Sequence, residues 1–291
     1  MAGTGKAPRV SIVTPSFNRI RFLKAAMDSV LDQKYPELEY VVVDGGSTDG
    51  SAELIASYAD RLAWWTSERD DGQYDAINKG FAHTTGEIMA WLNSDDLYLP
   101  WALAVVSEIF TALPEVDWLT SAFPVRWNEH GQAIDCRYRN GFSRPGFLRG
   151  EYLPSGRSYA SGYLQQETTF WRRSLWERSG ARLDTSYRVA GDYDLWMRFS
   201  KQAQLYAAHV PLGGFRLHGD QRSLTEAAAY AEEGERSLHA HGGRRYSALE
   251  SLGVRLAIRL PRRLRLRALA AGLIARRPMC VYQGRWCIEE P

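Results

Sequence analysis

The sequence predicts an α/β fold on a mostly parallel central sheet, and three observations carry that reading. Short β-branched apolar runs recur through the first 110 or so residues, each ends at a polar loop, and each loop is followed by apolar positions at helical spacing. With 45% apolar residues and 10 Trp among 291, the chain can bury a large core and lacks the composition of a disordered one. Strands that alternate with helices pair in parallel and are covered on both faces.

Val10–Thr14 is the first run; it stops at Pro15, and Asn18 precedes a helical pattern through Phe22, Ala26, Val30 and Leu31. Glu39–Asp44 is the second, halted by Gly45-Gly46-Ser47-Thr48-Asp49 before Leu54, Ile55 and Tyr58 resume helical spacing. Leu62–Thr66 precedes the polar loop 67–72 and a helix over Tyr74–Ala82. Glu87–Leu92 ends in Asn93-Ser94-Asp95-Asp96, with Pro100 opening the next helix. Residues 120–165 are richer in Arg, Tyr, Gly and Pro, which predicts long loops and short strands, and Gln165–Phe199 is regular again. The expected division is an extended or disordered 1–8, one domain over 9–225 in two halves (9–119 and 120–225), and a separate helical, Arg-rich appendage over 226–291.

A net charge of +2 gives no reason to expect nucleic acid as a partner. It conceals an imbalance, because 244–291 holds eleven Arg against three Glu, a net of +8 that leaves 1–243 at −6. Arg255, Arg259, Arg262 and Arg263 share one helical face beside Leu252, Leu256 and Leu260, with Pro261 as an interruption. Such a basic amphipathic segment, 244–277, suits an anionic membrane surface, a packed place on the acidic body or a subunit interface. Met1–Arg9 shows no apolar leader and the longest apolar run of the tail, Ala268–Ala275, is too short to span a bilayer, so a cytoplasmic location, peripheral on the inner membrane face, is expected. Cys136, Cys280 and Cys287 read as reduced thiols. Oligomeric state is left open.

Three loops carry acids in patterns that chemistry uses. Asp95 and Asp96 repel one another after a strand unless solvated or bridged by a cation such as Mg2+ or Mn2+, or else they cap the following helix. Asp44, before the glycines, is placed either to accept from a base or ribose or to close a Gly-rich turn. Asp192, at the start of GDYDLWMR, is a cap or a general base, while Asp194 and Arg198 form an i, i+4 pair.

VSIVTPSFN (10–18), YVVVDGGSTD (40–49), DAINKG (75–80), GEIMAWLNSDD (86–96) and GDYDLWMR (191–198), in this order and spacing, resemble the family 2 glycosyltransferases over about 9–222. The resemblance implies the GT-A fold, a nucleotide-sugar donor with uridine or thymidine, Mn2+ or Mg2+, and inversion at the anomeric carbon. It places Thr14, Pro15 and Asp44 at the nucleotide, Asp95 at the donor sugar or ribose, Asp96 on the metal and Asp192 as the base; Gly191 stands where the family often has Glu. By the same resemblance Asp70, Asp71 and Gly72 fall on a donor loop, Asn78 and Lys79 orient phosphates, His218 is an extra metal or phosphate ligand, and Gln166 and Glu167 touch the acceptor. Lys79 on a solvated face and His218 as a packed residue are the plain alternatives, and Trp64, Trp65, Trp171 and Trp196 read as core. The implied reaction moves a sugar from a UDP- or dTDP-sugar to a saccharide or lipid-linked acceptor hydroxyl in bacterial surface polysaccharide or glycolipid synthesis. A nucleotidyltransferase normally carries a Gly-rich loop after its first strand, and Thr14–Arg19 has no Gly; a non-catalytic scaffold would not need Asp95, Asp96 and Asp192 together.

Overall fold

The computed structural model describes residues 6–153, 163–247, 249–250, 252–253, 256, 259–261, 263–264 and 275–289. Its first half follows the expected alternation: β1 (Val10–Ser16), α1 (Ile20–Leu31), β2 (Leu38–Asp44), α2 (Ser51–Ala56), β3 (Trp64–Ser67), α3 (Gln73–Ala82) and β4 (Ile88–Trp91). β1 pairs in parallel with both β2 and β4, and β2 with β3, with Val13 level with Val41 and Trp91. These strands read as continuous apolar runs because both their faces are covered: Val41, Val42, Val43, Ile88, Met89 and Ala90 are all fully buried.

The remaining elements are β5 (Leu97–Tyr98), α4 (Ala102–Ala112), β6 (Trp118–Ser121), β7 (Val125–Trp127), β8 (Ala133–Cys136), α5 (Arg144–Leu148), β9 (Phe170–Arg172), α6 (Arg173–Arg178), α7 (Gly191–Gln202), β10 (Leu205–Ala208), β11 (Gly213–Arg216), α8 (Arg222–Thr225), α9 (Ala227–Ala240), β12 (Met279–Tyr282) and β13 (Trp286–Glu289). The main sheet runs β13-β12-β10-β6-β9-β4-β1-β2-β3, mostly parallel, with β9 antiparallel between β4 and β6 and β13 antiparallel at one edge. A smaller sheet, β5-β11-β7-β8, lies beside it. The core is aromatic. Trp196 stacks on Trp91 and Trp118 at 5.7 and 5.5 Å, and Trp171 meets Trp91 edge-on at 5.5 Å, so Trp171 and Trp196 are core as expected. Trp64 is only half-buried and stacks on His83.

The structure differs from the expectation of a separate helical 226–291 at both ends of that segment. β12 pairs in parallel with β10 and so extends the main sheet, and Arg277, just before it, makes a buried ion pair with Glu151 at 2.6 Å. α9 packs on α7: Ser237 Oγ and the His241 ring reach Asp194, which also holds Arg198 at 3.0 Å in the expected i, i+4 pair. An apolar strand as short as MCVY after a basic stretch carries too little periodicity to be seen in sequence. Between these ends, most of the expected basic helix, Arg255 and Arg262 included, lies outside the described residues; Leu252 and Leu256 are exposed. No helix among the described residues is long and apolar enough to cross a membrane.

Candidate active site

The loops that follow β1, β2, β3 and β4, the turn before β9, the start of α7 and the segment from Gln221 into α9 surround one open cleft of about 800 Å³. It lies beyond the carboxyl ends of the parallel strands, where an α/β sheet places ligands. The loops after β1 and β2 are tied together. Asn18, at φ 51°, accepts from the Thr48 N–H and donates its own N–H to Ser47 Oγ, while Asp49 accepts from the Ile20 N–H at the start of α1 and from the Ser51 N–H. Asp49 and Ser51 therefore close the turn and link two helix starts.

Pro15, Gly45, Gly46, Arg69 and Asp70 line the end of the cleft nearest these loops. Asp44 lies beneath them, fully buried; its carboxylate accepts from the Ser47 N–H at 2.8 Å, Ser47 Oγ at 2.5 Å and Ser67 Oγ at 2.7 Å. A Cβ at Gly45 would stand 2.8 Å from Asp70 Oδ2, so glycine is what lets that carboxylate lie over the turn. Burial raises the Asp70 carboxyl above its ordinary range, and the charges of Asp75 and Asp44 add to it.

At the cleft's centre Asp95 and Asp96 point to different places. Asp96 is 1% exposed, accepts from the Arg216 N–H of β11 at 3.0 Å and from Asn93 Nδ2 at 3.1 Å, and its proton affinity is raised by burial and then by Asp95 and Glu167. Asp96, the residue expected on the metal, does not line the cleft; each of its oxygens accepts one hydrogen bond inside the fold. Asp95 lines the cleft instead, with Oδ2 3.1 Å from His218 Nε2 and 3.8 Å from Arg19 Nε. His218 is held against Phe22 at 4.5 Å, and the buried Arg216 guanidinium lies over the same ring at 5.0 Å, a positive charge beside the two acids. The 3.1 Å separation is that of a hydrogen bond; a carboxylate beside a ring nitrogen is also a donor set that suits a divalent cation, so Asp95 and His218 are the residues that would hold one. Among the described residues no group of three or more His, Cys, Asp or Glu forms a closed cage.

Across the cleft, Asp192 sits in the first turn of α7, where the helix N-terminus favours a carboxylate. Its Oδ1 accepts from the Tyr193 N–H at 2.7 Å, and the Tyr230 hydroxyl donates to the carboxylate, 3.0 Å from Oδ1 and 3.1 Å from Oδ2. Burial outweighs these bonds and lifts the group to about 6. A carboxyl with that affinity is ionised at pH 7 yet basic enough to take a proton. Gly191 is explained by Tyr74: a Cβ there would stand 2.7 Å from the Tyr74 ring, whose hydroxyl holds the Val189 carbonyl at 2.7 Å. Gln166 and Glu167 form a single 3₁₀ turn before β9. Gln166 lines the cleft and donates to the Trp91 carbonyl. Glu167 is buried, and burial first, then the charges of Asp192 and Asp95, push its carboxyl up to about 8, a shift that favours the neutral acid.

The structure thus brings Pro15, Asp95, Gln166 and Asp192 to one cleft with His218 behind Asp95, and places other expected residues elsewhere. Thr14 is buried and accepts from the Tyr40 hydroxyl; Asp71 is exposed, its N–H turned to Asp75. Asn78 clamps both backbone groups of Leu183, and Lys79 pairs with Glu68 at 2.8 Å. The sequence reading missed Arg19, Tyr74, Arg222 and Tyr230, all on the cleft wall. α9 falls in the segment expected to be helical, 226–291, but that segment was read as a separate appendage and not as part of the cleft.

Residues 11–149 match the family model described as glycosyl transferase family 2. An uncharacterized glycosyltransferase of Rickettsia typhi is 28% identical over 224 residues, covering 75% of this chain and 67% of that protein. An uncharacterized glycosyltransferase of Mycobacterium tuberculosis is 40% identical over 93 residues, 32% of this chain and 36% of that one. Among solved structures, S. aureus TarS 1-349 in complex with UDP-GlcNAc superposes with a TM-score of 0.60 at 16% identity, covering 90% of this chain and 79% of that chain. The mannosyltransferase PcManGT from Pyrobaculum calidifontis, in complex with GDP-Man and Mn2+, gives 0.52 at 20%, covering 92% and 81%. The fold is therefore GT-A, and the chain is a glycosyltransferase. Residues 11–149, just under half of the chain, are what is similar to glycosyltransferase family 2.

Proposed function

We propose that the enzyme transfers a sugar from a UDP- or dTDP-sugar to an acceptor hydroxyl with inversion at the anomeric carbon, Asp192 acting as general base. The observation that carries this is the facing of Asp192, a carboxyl lifted to about 6, and the Asp95–His218 pair across one cleft. Asp192 takes the acceptor's hydroxyl proton as the new glycosidic bond forms, and the nucleoside diphosphate leaves from the opposite face of the sugar. Asp95 and His218 hold a divalent ion, Mn2+ or Mg2+, which when bound offsets the charge developing on the leaving diphosphate. Arg19, beside Asp95, adds a fixed positive charge at the same place. Gln166, on the cleft wall, contacts the acceptor, with Glu167 buried next to it in the same turn. Pro15, Asp70 and the Gly45–Gly46 turn receive the nucleoside, with Asp44 as the support of that turn. Uridine is favoured by the UDP-GlcNAc of TarS and by the UDP and Mn2+ of the glucosyl-3-phosphoglycerate synthase from Mycobacterium tuberculosis, a third structure of this fold at TM-score 0.52 and 18% identity, covering 82% of each chain.

The pathway is synthesis of a bacterial surface polysaccharide or glycolipid. A lipid-linked acceptor is reached through the basic segment 244–277, Arg277 excepted because it is buried against Glu151, on the anionic inner face of the membrane; the Arg content and the exposed Leu252 and Leu256 support this. Release of nucleoside diphosphate from a panel of UDP-, dTDP- and GDP-sugars with Mn2+, followed from pH 5 to 8, tests the reading. Turnover of UDP- or dTDP-sugars is expected, falling about tenfold per unit below pH 6 as Asp192 is protonated. Turnover of GDP-sugars alone would reject the donor assignment, and a flat profile would reject the base.

A further inference from the structure

We propose that Tyr230 and Glu233, on a helix beyond the family-matched residues, are positioning residues that set the orientation of Asp192 and its readiness to take a proton. The proposal rests on the reading of Asp192 as the base. α9 is fixed to α7 independently of these two residues, through Ser237 and His241 on Asp194. From that platform Tyr230 donates one proton, which bridges both oxygens of Asp192. Oδ1 also takes the Tyr193 N–H, so among the described residues Oδ2 has Tyr230 as its one partner and keeps a lone pair for an incoming hydroxyl. Tyr230 stays a donor, because burial and then the Asp192 charge hold its hydroxyl well above the ordinary tyrosine range.

Glu233, one turn along α9, accepts the N–H groups of Arg188, Val189 and Ala190, each at 2.9 Å. Those are the last three residues before α7, so this one carboxylate fixes the approach to the helix that carries the base. It also places a second negative charge near Asp192. The two residues act in opposite directions on the same group: the Tyr230 hydrogen bond favours the ionised carboxylate, and the Glu233 charge opposes it. The other titratable groups facing Asp192 are Tyr74 of α3 and Glu167 of the 3₁₀ turn, both shifted by burial toward their protonated forms, while Arg222 and Glu226 on the cleft wall pair with each other at 3.1 Å.

The test is the titration of Asp192 itself, followed by carbon-13 NMR of the full chain labelled at aspartate carboxyl carbons, with the Asp192 signal assigned by its loss in Asp192→Asn. Tyr230→Phe should raise the midpoint by about one to two pH units, the worth of one hydrogen bond to a charged group. Glu233→Gln, which keeps one acceptor oxygen for the Val189 and Ala190 N–H groups and gives up the one for Arg188, should lower it by about a unit or less. A purely structural role does not move one midpoint in opposite directions, so an unchanged midpoint in either folded variant overturns the proposal. Glu233→Gln carries the test alone if Tyr230→Phe does not fold. Full turnover by Asp192→Asn would reject the base assignment and leave the titration result standing, so the two readings fail separately.

Discussion

Asp192→Asn is expected to lower sugar transfer by about 10² to 10⁴-fold, the usual contribution of a positioned general base. The variant keeps its shape. Asn can still accept from the Tyr193 N–H and from Tyr230, and no nucleotide-lining residue leans on the Asp192 charge, so donor affinity should stay within about twofold. A fall in kcat with unchanged donor binding places the loss at the chemical step. Initial rates of diphosphate release together with donor titration by calorimetry check both halves.

Asp95→Ala is the second large effect, and its contrast with Asp96→Asn is the informative part. Asp95 lines the cleft with His218 paired behind it, so its removal should cost about 10²-fold or more in rate at fixed Mn2+ and weaken Mn2+ binding in the presence of UDP, because half of the proposed donor pair is gone. Asp96→Asn keeps an acceptor for the Arg216 N–H and should leave Mn2+ affinity within about tenfold while lowering the melting temperature. Manganese paramagnetic resonance on the two variants separates the roles. Equal loss of Mn2+ binding in both would contradict the assignment of Asp95 over Asp96.

Much of the architecture was legible because its signals are local. β1, β2 and β4 are short apolar runs that stop at polar loops, and each came within a residue or two of its observed bounds. Neighbouring acids were not legible in the same way. Asp95 and Asp96 share one turn, and which of them faces the cleft depends on the Arg216 N–H, 120 residues away. Asp44 likewise meets Ser67, its register partner across β2 and β3, a contact that pairing alone creates. Asn78 and Lys79 lie inside a matching motif, yet their side chains serve Leu183 and Glu68. The helix α9 was expected, but its role was not: a polar helix after the last motif reads as surface, and its value lies in where Tyr230 and Glu233 meet α7 and the residues before it.

The stereochemistry of the first product formed is the most direct measurement of a one-step displacement with a single base. With an α-linked nucleotide sugar and water or an alcohol as acceptor, proton NMR of the initial product should show the β anomer first, since one carboxylate acts on one face and the diphosphate leaves from the other. An α anomer formed first would contradict the account, because retention needs a second displacement that Asp192 alone cannot supply.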